Sequence, residues 1–474
     1  MSAVNPLHHF EKTVTSYLPF TPNEDQKIAI KKISEFIFNQ DERSVFILKG
    51  YAGTGKTNLI SAFTKALPII KWRSVLLAPT GRAAKVLGMY ANKIAQTIHK
   101  KIFRKQLSTT GTFYFSPAEN LHKNTLFIVD EASMISADSG GENLMNSLLE
   151  NLFEYVYSGN NCKLILIGDT AQLPPVGSNE SPALNESYLK TAFHLNINFF
   201  ELQEVARQRL ESGILLNATT IRNSIGKPVF ELPQLICSND FINLAGDELE
   251  DCINSAISKY GEENVVIITR SNKRANLFNQ SFRNRVKLYE EDLCTGDKLM
   301  IVKNNYFWLP ENNGEAGFIA NGDMVEITRL INRESLYGFN FCECQIRFID
   351  YPNLAEQQVK LITNSLFSDH PSLNQQEQKQ LFEAVIADLE NEPSKGIKMA
   401  YLKNSPYYNA LQVKFSYAIT CHKSQGGQWP VVFIDQGYLK ADDIDDNFLR
   451  WLYTAITRAT EKIYLINFNM LFFK

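Results

Sequence analysis

Gly50-Tyr51-Ala52-Gly53-Thr54-Gly55-Lys56-Thr57 fits the pattern G-x-x-x-x-G-K-[ST], and its neighbours on both sides agree with it. Before it, Ser44-Val45-Phe46-Ile47-Leu48 is a short apolar run of strand character. After it, Asn58 to Leu67 has helical spacing and stops at Pro68. Strand, glycine loop and helix start follow in order. Gly50, Gly53 and Gly55, with Thr54 between the last two, let the loop fold tightly. Successive backbone N–H groups can then point at phosphate oxygens, with the positive end of the next helix behind them. In this pattern Lys56 reaches the β and γ phosphates and Thr57 holds Mg2+. A nucleoside triphosphate is the expected ligand.

At 474 residues the chain exceeds what one hydrophobic core usually supports, so about two to four domains are expected. Apolar residues at 44% and charged residues at 21% describe an ordinary globular protein. With 48 basic and 51 acidic residues the net charge is −3, which excludes a uniformly basic coat but not a locally basic groove. The seven cysteines include no C-x-x-C pair and no zinc spacing, and a reduced, cytoplasmic setting is the expectation. Cys342 and Cys344 would share one face of a strand and pack there. No apolar run approaches the ~18 residues of a membrane helix.

Apolar runs recur between helical patterns, at Ser74 to Ala78, Leu126 to Val129, Leu164 to Ile167, Val265 to Ile268, Val431 to Ile434 and Ile463 to Ile466. Their continuous Val/Ile/Leu content suits strands buried on both faces of parallel sheets, so the fold class is α/β. From roughly Tyr289 to Leu411 the texture changes to short strands punctuated by turns, such as Asp297 to Val302 and Gly322 to Ile327, with a polar helix from Asn374 to Leu389. This predicts a small β domain inserted in the second α/β unit. A hairpin is expected between Lys100 and Lys123, around Gly111-Thr112-Phe113-Tyr114-Phe115.

Leu126-Phe127-Ile128-Val129-Asp130-Glu131 is a strand ending in two acids. Asp130 is placed to bind Mg2+ beside the glycine loop, and Glu131 to polarise the water that attacks the γ phosphate. Gln172, after the strand at Leu164 to Ile167, could meet the γ phosphate with its amide. Arg207 and Arg458 carry permanent positive charge that could neutralise the transferring phosphoryl group from across a cleft.

With these residues in place, the chain resembles a superfamily 1 helicase of the RecD/Dda-like branch, and the resemblance runs along nearly its whole length. Phe20 to Gln26 resembles the Q motif, Ala78-Pro79-Thr80-Gly81-Arg82-Ala83-Ala84 motif Ia, and Thr97-Ile98-His99 the short motif that follows. Gly168 to Val176 resembles motif III, Val205-Ala206-Arg207-Gln208 motif IV, Tyr417 to Gly426 motif V and Tyr453 to Ala459 motif VI. The resemblance implies two RecA-like P-loop motor domains, residues 1–195 and then 196–288 with 412–474. It also implies a hairpin insertion at about 100–123 in the first and an SH3-like β insertion, 289–411, in the second.

It implies ATP and Mg2+ as cofactors, Gln26 on the adenine edge, and single-stranded and forked DNA as partners. The strand would lie across Pro79, Thr80, Thr97, His99, Thr420 and His422, with Asn272 and Arg274 adding a polar, basic edge. Phe113, Tyr114 and Phe115 would supply the pin that splits the duplex. The family's movement is five-prime to three-prime. Gln428 stands where motif V commonly has an acid that meets the nucleotide sugar; an amide can still accept a hydrogen bond there. An ATPase that remodels nucleoprotein without separating strands, or a silent DNA-binding scaffold, are the alternative readings.

Overall fold

The computed structural model describes residues 5–107, 113–137, 146–204, 212–227, 231–309, 319–351, 353–440 and 444–473. Six parallel strands form the first sheet, in the spatial order Ala95–Thr97, Arg73–Ala78, Lys123–Val129, Asn160–Gly168, Ser44–Gly50 and Asn196–Leu202. The apolar runs read from the sequence are its central strands. Alternate residues face opposite ways, as the period-two geometry of a strand requires. Phe46, Leu48, Ile128 and Ile165 join one buried cluster, while Val45, Ile47, Phe127 and Leu166 join the other. Both faces are covered, which is why these strands read as unbroken hydrophobic runs.

A second parallel sheet of five strands runs Ala418–Thr420, Val265–Thr269, Trp429–Asp435, Ala459–Ile466 and Phe241–Leu244. Between its strands in the chain, Lys298–Ile301, Met324–Leu336, Phe339–Phe348, Gln357–Ile362 and Leu411–Phe415 close into a barrel. Cys342 and Cys344 are buried in the barrel core, as their shared face predicts. The polar helix spans Gln375–Ala387 and begins at a capping box between Asn374 and Glu377. A second helix, Lys395–Asn404, follows it and carries no comparable sequence signal. Phe103–Leu107 and Phe113–Pro117 pair as an antiparallel hairpin.

The expected boundaries shift in two places. Asn196–Leu202 pairs along Ser44–Gly50, so the first sheet extends past 195. Leu411–Phe415 pairs with both Gln357–Ile362 and Lys298–Ile301, so the barrel extends past 411. Edge position explains the first miss. Asn196–Leu202 is half-exposed along most of its length and alternates no clean apolar face, so its membership is set by pairing with a strand about 150 residues earlier in the chain.

Candidate functional site

The strand Ser44–Gly50 delivers the glycine loop to the carboxyl edge of the first sheet, and the helix Lys56–Ala66 leaves from it. Gly53 and Gly55 hold φ values of 81° and 88°. At Gly55 a side chain is excluded twice over, by the left-handed backbone and because a Cβ there would lie 2.7 Å from Gln26 Nε2. Lys56 Nζ donates to the carbonyls of Gly50 at 2.5 Å and Tyr51 at 2.9 Å. The Thr54 hydroxyl donates to the Tyr51 carbonyl at 2.8 Å.

Gln26 departs from its expected place at the adenine edge. It is 1% exposed, accepts from the Asn23 N–H at 3.2 Å and donates to the Thr54 carbonyl at 3.0 Å. Its amide braces the loop from behind instead of facing the cleft. The physical reason is local: Asn23 and Gln26 form the capping box of the helix Glu24–Phe38, which fixes the direction of the side chain.

Asp130 and Glu131 follow the strand Lys123–Val129. Burial, with the neighbouring charge of Glu131 adding to it, pushes the Asp130 carboxyl up to about 6. Glu131 has φ of 53°, uncommon for a residue with a side chain, and its N–H donates to Asp130 Oδ1 at 2.9 Å. Opposite stands Arg458, 4% exposed, with its NH1 3.7 Å from Glu131 Oε1. The guanidinium is aimed by three further contacts, to the carbonyls of Thr454 at 3.1 Å and Gly427 at 3.3 Å and to the Thr457 hydroxyl at 3.2 Å. Gln172 is 6% exposed and its Oε1 is buried without a partner.

Lys56, Thr57, Asp130, Glu131, Gln172 and Arg458 all line one cleft of about 500 Å3. Gln428 lines it too, accepting from the Tyr90 hydroxyl at 3.2 Å. Gly426 closes the approach between the halves: at φ of 73° it packs so close to Ala83 that a Cβ would lie 2.5 Å from that side chain. Nearby, the Arg82 guanidinium lies 3.9 Å from the centre of the Trp429 ring. Arg207 lies outside the described residues.

The residues expected on nucleic acid sort to one edge of each sheet. Pro79 and Thr80 follow Arg73–Ala78, while Thr97 ends and His99 lies just beyond Ala95–Thr97, the edge strand of the first sheet. Thr420 ends and His422 lies just beyond Ala418–Thr420, an edge strand of the second. Thr80 and Thr97 both cap helices, accepting from the N–H groups of Ala83 and Lys100 at 3.2 Å each. Capping uses a hydroxyl as acceptor and leaves its proton free to donate. Burial lowers His99 to about 4, so its ring is neutral at pH 7 and offers a hydrogen bond without charge.

Arg274, expected on the basic edge, forks its guanidinium onto Asp435 at 2.9 and 2.7 Å while 36% of its side chain stays exposed, and Asn272 opens the helix Asn272–Ser281. Of the hairpin, the strand through Phe113, Tyr114 and Phe115 is described, but those rings lie outside the described side chains.

Sequence reasoning missed Tyr453, Asp169, Thr454 and Gln425, which tie the two sheets together. Leu173 N–H donates to Thr454 Oγ1 at 2.8 Å, and Gln425 Nε2 donates to the Leu173 carbonyl at 2.7 Å. Each of these residues sits inside a quoted motif, yet no local pattern reveals a partner 252 or more positions away.

A glycine loop, a strand-end acid pair and a cation from a second parallel sheet facing one cleft define a two-domain P-loop motor. The comparisons with known proteins agree. Residues 21–227 match the family model described as AAA domain, and residues 415–466 the UvrD-like helicase C-terminal domain. An uncharacterized protein of Acanthamoeba polyphaga mimivirus is 26% identical, over 93% of this chain and 99% of its own length. The ATP-dependent DNA helicase dda of Enterobacteria phage T4 is 25% identical over 64% of this chain, which spans 66% of that relative. The ATP-dependent RecD2 DNA helicase of Deinococcus radiodurans is 33% identical over 27% of this chain and 16% of its own. Over both matched segments the chain is similar to the superfamily 1 helicases of the RecD/Dda-like branch, and its cleft is that of an ATP-hydrolysing helicase.

Proposed function

We propose that this chain couples ATP hydrolysis in the cleft to five-prime to three-prime movement along single-stranded DNA, and so unwinds forked duplex. The observation that carries it is Arg458, held by the second sheet yet 3.7 Å from Glu131 of the first. A charge so placed can stabilise the transferring phosphoryl group only when the halves are closed on each other. Closure around ATP and opening after hydrolysis would shift one sheet's edge relative to the other. Thr80, Thr97 and His99 on one edge and Thr420 and His422 on the other form the track that such a shift moves along. Their neutral donors suit phosphate oxygens without reading bases.

The donor set of the cleft fits Mg2+. Thr57 and Asp130 offer hard oxygen ligands, and a divalent cation would favour the ionised form of a carboxyl that burial makes harder to ionise. When bound, the ion neutralises charge on the phosphate oxygens. Glu131 orients and polarises the attacking water, Lys56 holds the phosphates, and Gln172 senses the γ position through its unpartnered oxygen by way of that water.

In domain terms, the described residues between 5 and 202 form the first motor domain, and the second motor domain carries the barrel, which we take as SH3-like. The hairpin is the candidate pin. Seven free cysteines suit a reducing, cytoplasmic setting, and among the described residues no helix is long and apolar enough to cross a membrane.

Strand separation on DNA and RNA duplexes with either overhang tests this reading. Unwinding of DNA from a five-prime tail with ATP is expected. Separation only from a three-prime tail would overturn the polarity, and ATP turnover without separation from any substrate would favour the remodelling ATPase.

A further inference from the structure

Tyr453 is 1% exposed on the helix Asp446–Ile456 of the second motor domain, and its hydroxyl touches the first domain twice. It accepts from the Ala52 N–H at 3.0 Å and donates to Asp169 Oδ2 at 2.7 Å. Ala52 is in the glycine loop, and Asp169 directly follows the strand Asn160–Gly168, in the turn from which Gln172 reaches the cleft. The other Asp169 oxygen accepts from the Ala171 N–H at 2.9 Å, so the carboxylate also shapes the turn carrying Gln172. Burial and the Asp169 charge hold the hydroxyl protonated, which fixes it as the donor to that carboxylate.

The same turn is gripped from the nucleic-acid side. Gln425, directly after the helix Cys421–Ser424 that carries His422, donates to the Leu173 carbonyl. A continuous path therefore runs from the candidate DNA edge through Gln425, Leu173 and Asp169 to Tyr453 and the loop amide of Ala52.

We infer that Tyr453 is a positioning residue that locks the glycine loop and the Gln172 turn to the second domain, and that DNA stimulates ATP turnover through this lock. The inference rests on the ATPase reading above. Tyr453→Phe keeps the ring and deletes the oxygen that bridges Ala52 and Asp169, leaving the Ala52 amide and a buried carboxylate oxygen each short of a partner. Nothing that touches the phosphates is removed and the Thr454 and Gln425 bonds to Leu173 remain, so nucleotide is still held, but the glycine loop loses its tie to the Gln172 turn and coupling between the domains weakens.

The test compares parent and Tyr453→Phe by ATP turnover with and without a single-stranded oligonucleotide, and by hydrogen exchange of peptides covering Ala52 and 168–173. The expected result is basal turnover and KM for ATP within about threefold of the parent, with the ratio of stimulated to basal turnover at least tenfold lower. Exchange should be faster in both peptides. Asp169→Asn, which keeps an acceptor for the hydroxyl but loses the charge, should lower the ratio by a smaller factor and serves if the phenylalanine variant does not fold. An unchanged ratio, an equal loss of basal and stimulated turnover, or unchanged exchange overturns the inference. A parent without ATP turnover would instead defeat the ATPase reading, and the exchange comparison would still decide whether Tyr453 holds the loop.

Discussion

Arg458→Ala is expected to lower single-strand-stimulated kcat by about a thousandfold, the lower end of the effect of a phosphoryl-stabilising arginine. The guanidinium is buried, fixed by Thr454, Thr457 and Gly427, and faces Glu131 at 3.7 Å, so it need not move far to meet developing charge. Pre-orientation of this kind puts the interaction into the transition state and not the ground state, so KM for ATP should change far less than kcat. Lysine should not rescue the loss, because a single ammonium cannot satisfy both backbone carbonyls and face the cleft as the fork does. Steady-state turnover of the alanine and lysine variants decides the matter, and a fall of less than tenfold in both would remove Arg458 from the reaction.

The second large effect is expected at Glu131. Glu131→Gln keeps the shape of the side chain and removes the base, so turnover should fall by about 10²- to 10⁴-fold while nucleotide binding survives. The charge balance favours that split. The Glu131 charge is the second cause, after burial, of the raised Asp130 value, so its removal makes Asp130 easier to ionise and leaves the proposed metal ligand intact. Equilibrium binding of a labelled nucleotide beside turnover measures both halves; turnover at the parent rate would show that another group orients the water.

How far the sequence reaches depends on how local the physics is. The glycine loop, the acid pair and the central strands are visible because each is specified by neighbours in the chain: φ-permissive glycines, a two-faced apolar run, a helix start. Asn196–Leu202 is not, since an edge strand with mixed polarity is recruited by a partner far along the chain. Gln26 shows a different limit. Its capping box with Asn23 is a local pattern, but the bond from its amide to Thr54, 28 residues later, is not. Arg274 likewise reads only as part of a basic edge, because its ion pair with Asp435, 161 residues later, leaves no local signal. Tyr453 lies in the same motif as Arg458, but its hydroxyl joins segments 401 and 284 positions away, which no local pattern shows.

If the cleft between the two sheets is an ATPase driven by single-stranded DNA, ATP turnover must follow the strand and depend on Lys56. With a single-stranded oligonucleotide titrated into the parent and into Lys56→Ala, turnover should rise at least tenfold as the strand saturates the parent and stay at background in Lys56→Ala. Equal turnover in the two proteins, or a parent indifferent to the strand, would contradict that reading.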